Sequence, residues 1–248
     1  MRWVVLSGCM LLSIVDLAVG QTVDVPSPPP AGAATFRPAL IGNAPDALIN
    51  TIDAKGLAAK GQKSAVVMFS AIVGKTGGLI WSGTYRGTPG SKLLEEEVKN
   101  QLATAKFIPA MRKGQPVIVV FYGTVMFSVV DGKPRLRIFA NQQVEELKHE
   151  NDFIDPQPYI GAESGFTGTH YPDTGSPIAM TGTAEISVQV DAEGNLKDIQ
   201  LTSEYPPLLG FGDAAISDFR YAKFIPAFRN GQPVESKVTL PVYFLPQD

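Results

Sequence analysis

The sequence predicts an α+β fold made of two tandem units, each a small antiparallel sheet of order strand-strand-helix-strand with helices on one face. Three observations predict it. A phrase is written twice: Ala105-Lys106-Phe107-Ile108-Pro109-Ala110, Arg112, Gly114-Gln115-Pro116 and Val125-Met126-Phe127 recur as Ala222-Lys223-Phe224-Ile225-Pro226-Ala227, Arg229, Gly231-Gln232-Pro233 and Val242-Tyr243-Phe244. The offset is 117 residues throughout, and it also pairs Val73 with Val190, Gly77 with Gly194 and Leu79 with Leu196 without a gap. Finally, each copy of the phrase follows two strand-like runs and one helix-like run, and leads into another strand.

Length and composition set the bounds. A chain of 248 residues can bury one large core or two small ones, and the repeat favours two. A net charge of −3 leaves no electrostatic footprint for nucleic acid. Cys9 is the sole cysteine, so a mature chain starting after Gly20 holds no disulfide and no thiolate metal site. Residues 1–20 read as a signal peptide: Arg2 is the positive end, Trp3 to Val19 the apolar stretch, and Ala18-Val19-Gly20 the small residues before Gln21. Leu6-Ser7-Gly8-Cys9 resembles a lipoprotein box, but the apolar run before it is short and continues past it. An uncleaved anchor carrying Asp16 is marginal for crossing ~30 Å of hydrocarbon. Export with cleavage is the expectation. Residues 21–38, with Pro26, Pro28, Pro29 and Pro30, read as a Pro-rich linker.

The first unit, 39–141, opens with Ala44 to Leu57, where Leu48, Ile49 and Ile52 fall at helical spacing before Gly56. Ser64 to Val73 and Leu79 to Arg86 flank the turn Gly74-Lys75-Thr76-Gly77-Gly78, which predicts a hairpin. Ser91 is a natural N-cap for a helix whose Leu94, Val98 and Leu102 share a face. That helix cannot pass Phe107-Ile108-Pro109, because the residue before proline is pushed to extended geometry. Val117 to Val130 is a long strand, and beyond the repeat Asp131 to Pro134 turns the chain back as Arg135 to Ala140. That returning strand is expected to cover the first unit's terminal edge.

Residues 142–170 read as a linker, with a short helix around Val144 and Leu147 and parts packed on either unit. The second unit, 171–248, repeats the grammar. Ala184 to Val190 alternates apolar and polar residues, Asp191 to Asn195 turns, Leu196 to Thr202 returns, and Gly210 to Ala222 is the helix, with Ala215, Phe219 and Ala222 inward. Ser236 to Phe244 is the last strand. No returning strand follows it, so it is expected to stay an edge. The Phe of each Phe-Ile-Pro triplet is expected to plug the gap between helix end and sheet.

The second unit resembles the C-terminal domain of the TonB energy-transducer family. The residues concerned are Tyr171-Pro172, the hairpin Gly182 to Gln200 with Asp191-Ala192-Glu193-Gly194 at its turn, the helix, Ala222 to Ala227, Gly231-Gln232-Pro233-Val234, and Val238 to Phe244. The first unit resembles it more weakly and lacks a Tyr-Pro pair. The resemblance implies a periplasmic domain with a three-stranded antiparallel sheet that captures an extended peptide of an outer-membrane transporter by strand addition. Two features depart from the family's transducers: residues 1–20 hold no histidine for a motor contact, and the Pro-rich stretch is far too short to cross the periplasm. A soluble module of the same fold is the expectation.

No catalytic constellation is legible. His149 sits in a charged run, His170 in a Gly/Thr loop, and neither belongs to a Glu-x-x-His or Cys pattern that would hold a metal. The chain is therefore read as a non-enzymatic periplasmic protein-binding module without cofactor. Its partner is a protein, an outer-membrane receptor peptide being the candidate, with membrane contact only if residues 1–20 are retained. The candidate binding edge is Ser236, Lys237, Val238, Thr239, Leu240, Val242 and Tyr243, since an unpaired strand offers backbone N–H and C=O groups to a partner. The alternative is a scaffold of the cell envelope that transduces no energy.

Overall fold

In a computed structural model the described residues are 36–149, 152–173 and 180–246. The signal peptide and nearly all of the Pro-rich linker expected before Phe36 lie outside them. The first unit runs β1 (Phe36–Arg37), α1 (Leu48–Thr51), α2 (Ala54–Ala59), β2 (Ala65–Val73), β3 (Leu79–Gly87), α3 (Lys92–Leu102), β4 (Ala110–Arg112), β5 (Gln115–Val130) and β6 (Lys133–Phe139). After it come α4 (Val144–Lys148) and β7 (Gln157–Ile160). The second unit runs β8 (Gly182–Val190), β9 (Leu196–Tyr205), α5 (Phe211–Phe219), β10 (Phe224–Ile225), β11 (Ala227–Arg229), β12 (Gln232–Val234) and β13 (Ser236–Phe244). The fold is α+β and rich in strand.

Two local expectations change. The single helix expected over Ala44 to Leu57 is two short ones, because the chain leaves helical geometry at Ile52 and Asp53 restarts it, its carboxylate accepting the Gly56 N–H at 2.8 Å. Ser91 does stand at the N-cap position of α3, but its side chain makes no capping bond. The Leu94 N–H donates instead to Oε1 of Gln62, 3.0 Å away. A distant, buried amide thus does what the local hydroxyl was expected to do.

The same local geometry recurs 117 residues apart. Gly77 (φ 86°) and Gly194 (φ 79°) each offer their carbonyl to a phenylalanine N–H, that of Phe107 or Phe224, at 2.9 Å. A methyl group on either glycine would lie 2.0 or 2.1 Å from that phenylalanine's carbonyl oxygen, so the turn tolerates no side chain. The Lys113-Gly114 and Asn230-Gly231 turns share positive φ at both residues. The register shifts of the two hairpins also coincide, after Met68 and Glu185 and after Ile72 and Gln189.

Residues 142–170 hold more than a connection. Ile154 bridges Phe228 as Arg37 pairs with Met111, and Gln157 pairs with Ile225 as Leu40 bridges Ile108. Those places are again 117 apart, so 153–157 lies against the second unit as 36–40 lies against the first. β7 also pairs on its other side with β5, at Ile118 and Val119, which joins the units through one shared strand.

Each unit has its own core, and the cores exchange residues. Phe69, Leu94, Val98, Phe107, Phe121 and Phe127 centre the first, and Ile186, Phe211, Phe219, Phe224, Leu240 and Phe244 the second. Tyr159, Ile225 and Phe228 belong to the first core, and Tyr122 to the second. Phe107 and Phe224 are buried, as their plugging role requires.

Candidate protein-binding edge

Strand β13 alternates as half-buried strands do. Val238, Leu240, Val242 and Phe244 face the core, whereas Lys237 is exposed and Thr239 and Tyr243 are half-buried on the other face. It pairs antiparallel with β8 from Ser236 opposite Val190 to Phe244 opposite Gly182. The sheet order is β13-β8-β9, and among the described residues no strand pairs with β13 on its far side. All seven candidate residues, Ser236, Lys237, Val238, Thr239, Leu240, Val242 and Tyr243, therefore lie on one terminal strand.

The counterpart strand in the first unit is not left open. β5 pairs with β2 along Val119 to Phe127, and its opposite side takes β7 at Ile118 and Val119 and β6 from Thr124 to Val130. The returning strand thus covers the first unit's edge as its sequence anticipates.

The face of the second sheet away from α5 meets the first unit. Tyr243 packs on Trp81 and Tyr85, with ring centroids 6.4 and 5.1 Å apart, and Arg86 pairs with Glu185. A cleft of about 200 Å³ opens there, walled by Tyr85, Arg86, Glu185, Tyr205, Pro241 and Tyr243. Burial pushes the phenols of Tyr85 and Tyr243 well above their ordinary range, and the Tyr85 hydroxyl is buried with no hydrogen-bond partner among the described residues. The Arg86 guanidinium opposes both shifts. Nothing in the sequence marked Trp81, Tyr85 and Tyr243 as neighbours, because they come from strands of different units.

A buried carboxylate sits near this interface. Asp155 Oδ2 accepts from the Gln142 N–H at 3.0 Å and from Nε2 of Gln143 at 3.5 Å, while Oδ1 has no partner among the described residues. Burial drives its pKa up to about 7 against the pull of those two donors, and Glu146 raises it further. Gln142, in turn, donates to the Phe69 carbonyl at 3.0 Å.

His170 does meet a carboxylate. Its N–H donates to Oδ2 of Asp218 at 2.7 Å and its Nδ1 lies 2.8 Å from Oδ1. The ring is 73% exposed, however, and the contact pins the 167–173 segment to α5. That geometry fits anchoring rather than proton transfer in a closed site. Among the described residues no group of acidic, His or Cys side chains is placed to hold a metal ion.

No curated protein and no solved structure matches the chain. Residues 167–246 match the family described as the Gram-negative bacterial TonB protein C-terminal. That span holds β8, β9, α5 and β10 to β13, and it is this part of the chain that is similar to the TonB C-terminal domain.

Proposed function

We propose that the chain is a periplasmic protein-binding module, exported by residues 1–20, that takes an extended segment of an outer-membrane receptor onto β13 by strand addition in TonB-dependent transport. The reading extends to the first unit as a tandem copy of the same domain, and to a second unit that starts near Phe153. The recurrence of turns, register shifts and flanking pairings at one offset supports both. A non-enzymatic role agrees with the matched family and with the exposure of His170. Among the described residues no helix is long and apolar enough to cross a membrane.

One observation carries the proposal: among the described residues β13 lacks a neighbour on the side where its counterpart β5 has two. An unpaired strand holds a row of donors and acceptors that a partner backbone satisfies directly. The test is NMR titration of the full chain with synthetic peptides from the periplasmic N-terminal segments of outer-membrane receptors. The amides of Ser236 to Phe244 are expected to shift with saturation. Spectra that stay unchanged across the panel would sink the proposal.

A further inference from the structure

The β5–β6 hairpin runs past the body of the first unit. β2 accompanies β5 only as far as Phe127, which pairs with Ala65, whereas β5 and β6 stay paired on to Val130 opposite Lys133. Ser128 to Arg135 therefore projects as a two-stranded ribbon, and among the described residues no strand follows β13 to make its like in the second unit. Residues that pair across an antiparallel ribbon share a face. Val129 and Pro134 continue the core side of Phe127 and Leu136, while Ser128, Val130, Lys133 and Arg135 lie on the other side. Val129 and Val130 are 41% and 38% exposed at the tip, and Lys133 and Arg135 are exposed behind them.

The base of the ribbon is basic too. α2 packs on β6 and carries the exposed Lys55, Lys60 follows it, and Lys63 stands two residues before Ala65. Residues 55–63 and 128–135 thus bring five cations and one acid, Asp131, to one end of a chain whose net charge is −3. None of the five forms an ion pair among the described residues. Two acids beside α2 turn to backbone donors instead: Asp53 accepts the Gly56 N–H at 2.8 Å, and Glu97 accepts the Asp53 N–H at 3.1 Å.

We propose that this end of the first unit docks on an anionic lipid bilayer, with Val129 and Val130 in the headgroup layer and Lys133, Arg135 and the lysines around α2 on lipid phosphates. The contact uses neither residues 1–20 nor the β13 edge. Charge complementarity and layering argue for it. A narrow apolar tip with cations set back around it matches a medium whose apolar interior lies beneath a sheet of negative charge. Long Lys and Arg side chains keep their charge at headgroup level while the valines go deeper. Charges on a strand such as β6, which pairs only with β5, also discourage edge-to-edge association. That role requires neither the exposed valines nor the lysines around α2.

The test is flotation of the exported form, from Gln21 onward, with vesicles of phosphatidylglycerol and phosphatidylcholine in equal parts, and with phosphatidylcholine alone. Binding is expected to the mixed vesicles only, and it should fade in 1 M salt, where the Debye length is about 3 Å. Lys133→Gln with Arg135→Gln should weaken it about thirtyfold, at about fivefold per cation, with the thermal midpoint unchanged. Lys60→Gln with Lys63→Gln should do the same, and Asp131→Asn should tighten binding. Val130→Trp, read against the unsubstituted chain, should shift its emission to the blue on mixed vesicles. Failure to float with mixed vesicles overturns the proposal, and so does equal binding to both lipids. Undiminished binding by both double variants would move the contact elsewhere. Emission from Trp at position 130 that stays unmoved on bound vesicles would overturn the entry of the tip. Binding to soluble polyglutamate without binding to vesicles would make the partner an acidic macromolecule and overturn the lipid assignment.

Discussion

At the scale of single residues, the two hairpin glycines give the sharpest stability prediction. In Gly194→Ala the new methyl meets the Phe224 carbonyl oxygen at 2.1 Å and the backbone must hold φ near 79°. Left-handed geometry alone costs an L-residue about 1–2 kcal/mol, and the collision adds to it. Gly132→Ala carries comparable strain, φ 73°, with nothing within 4 Å of the new methyl. Urea unfolding should therefore place Gly194→Ala clearly below Gly132→Ala, and Gly77→Ala should behave like Gly194→Ala. Equal losses at all three sites would mean that the close approach of the Gly77 and Gly194 turns is relieved at no cost.

Asp155 makes stability depend on pH. An aspartate ordinarily titrates at 3.8, and burial raises this one to about 7. Between those values the folded chain keeps a proton that the unfolded chain has lost, so stability falls as pH rises through that window. Below about pH 4 both states are protonated, and above about pH 7 the loss is complete. The full span corresponds to about 4 kcal/mol at most, at 1.36 kcal/mol per unit. Asp155→Asn can still accept the Gln142 N–H and should flatten the dependence between pH 5 and pH 8. A wild-type urea midpoint that does not fall over that interval would contradict the burial of a lone carboxylate there.

At the scale of elements, β5 and β13 hold places 117 residues apart in the repeated sequence and differ in their neighbours. β5 has neighbours on both sides from Thr124 to Phe127, whereas among the described residues β13 has only β8. Amide exchange should therefore protect every residue from Thr124 to Phe127. Along β13 it should alternate, since successive residues of an edge strand point their N–H groups toward and away from the sheet. Uniform protection of Ser236 to Phe244 would show that the far side is occupied, and the capture reading would fall. The element scale also explains what was illegible in residues 142–170. Phe153 and Gln157 keep their offset from Phe36 and Leu40, but the residues between carry neither the identity nor the alternation that would announce a repeated strand. Arg112 lies over the Tyr159 ring at 5.0 Å and its counterpart Arg229 over Phe153 at 4.7 Å, contacts that only the folded chain shows.

At the scale of the molecule, the units are not independent beads. Ile225 and Phe228 sit in the first core although their strands belong to the second unit. A fragment of residues 152–248 loses the strand beside β7 and uncovers both side chains. At about 1.5–3 kcal/mol for each buried side chain of this size, it should be several kcal/mol less stable than the same residues in the full chain. Comparing denaturant midpoints of fragment and full chain by circular dichroism checks this. A fragment as stable as its parent would mean that the shared residues are merely adjacent. For the same reason the full chain should unfold in one transition rather than two.

The sequence by itself determined the repeat, its strand-strand-helix-strand order, the plugging phenylalanines and the covered edge of the first unit. All of these rest on local rules: period-two alternation, turns that need a positive φ, and proline stops, each acting within a few residues. Only the tertiary structure decided that the Gln62 side chain caps α3, that β7 pairs with both β10 and β5, and that Trp81 and Tyr85 meet Tyr243. It also decided that Asp155 is buried with one of its own carboxylate oxygens unpaired among the described residues. Those outcomes depend on where distant segments settle when two helix-covered sheets press together, and contacts of that kind leave no periodicity in the chain to be read.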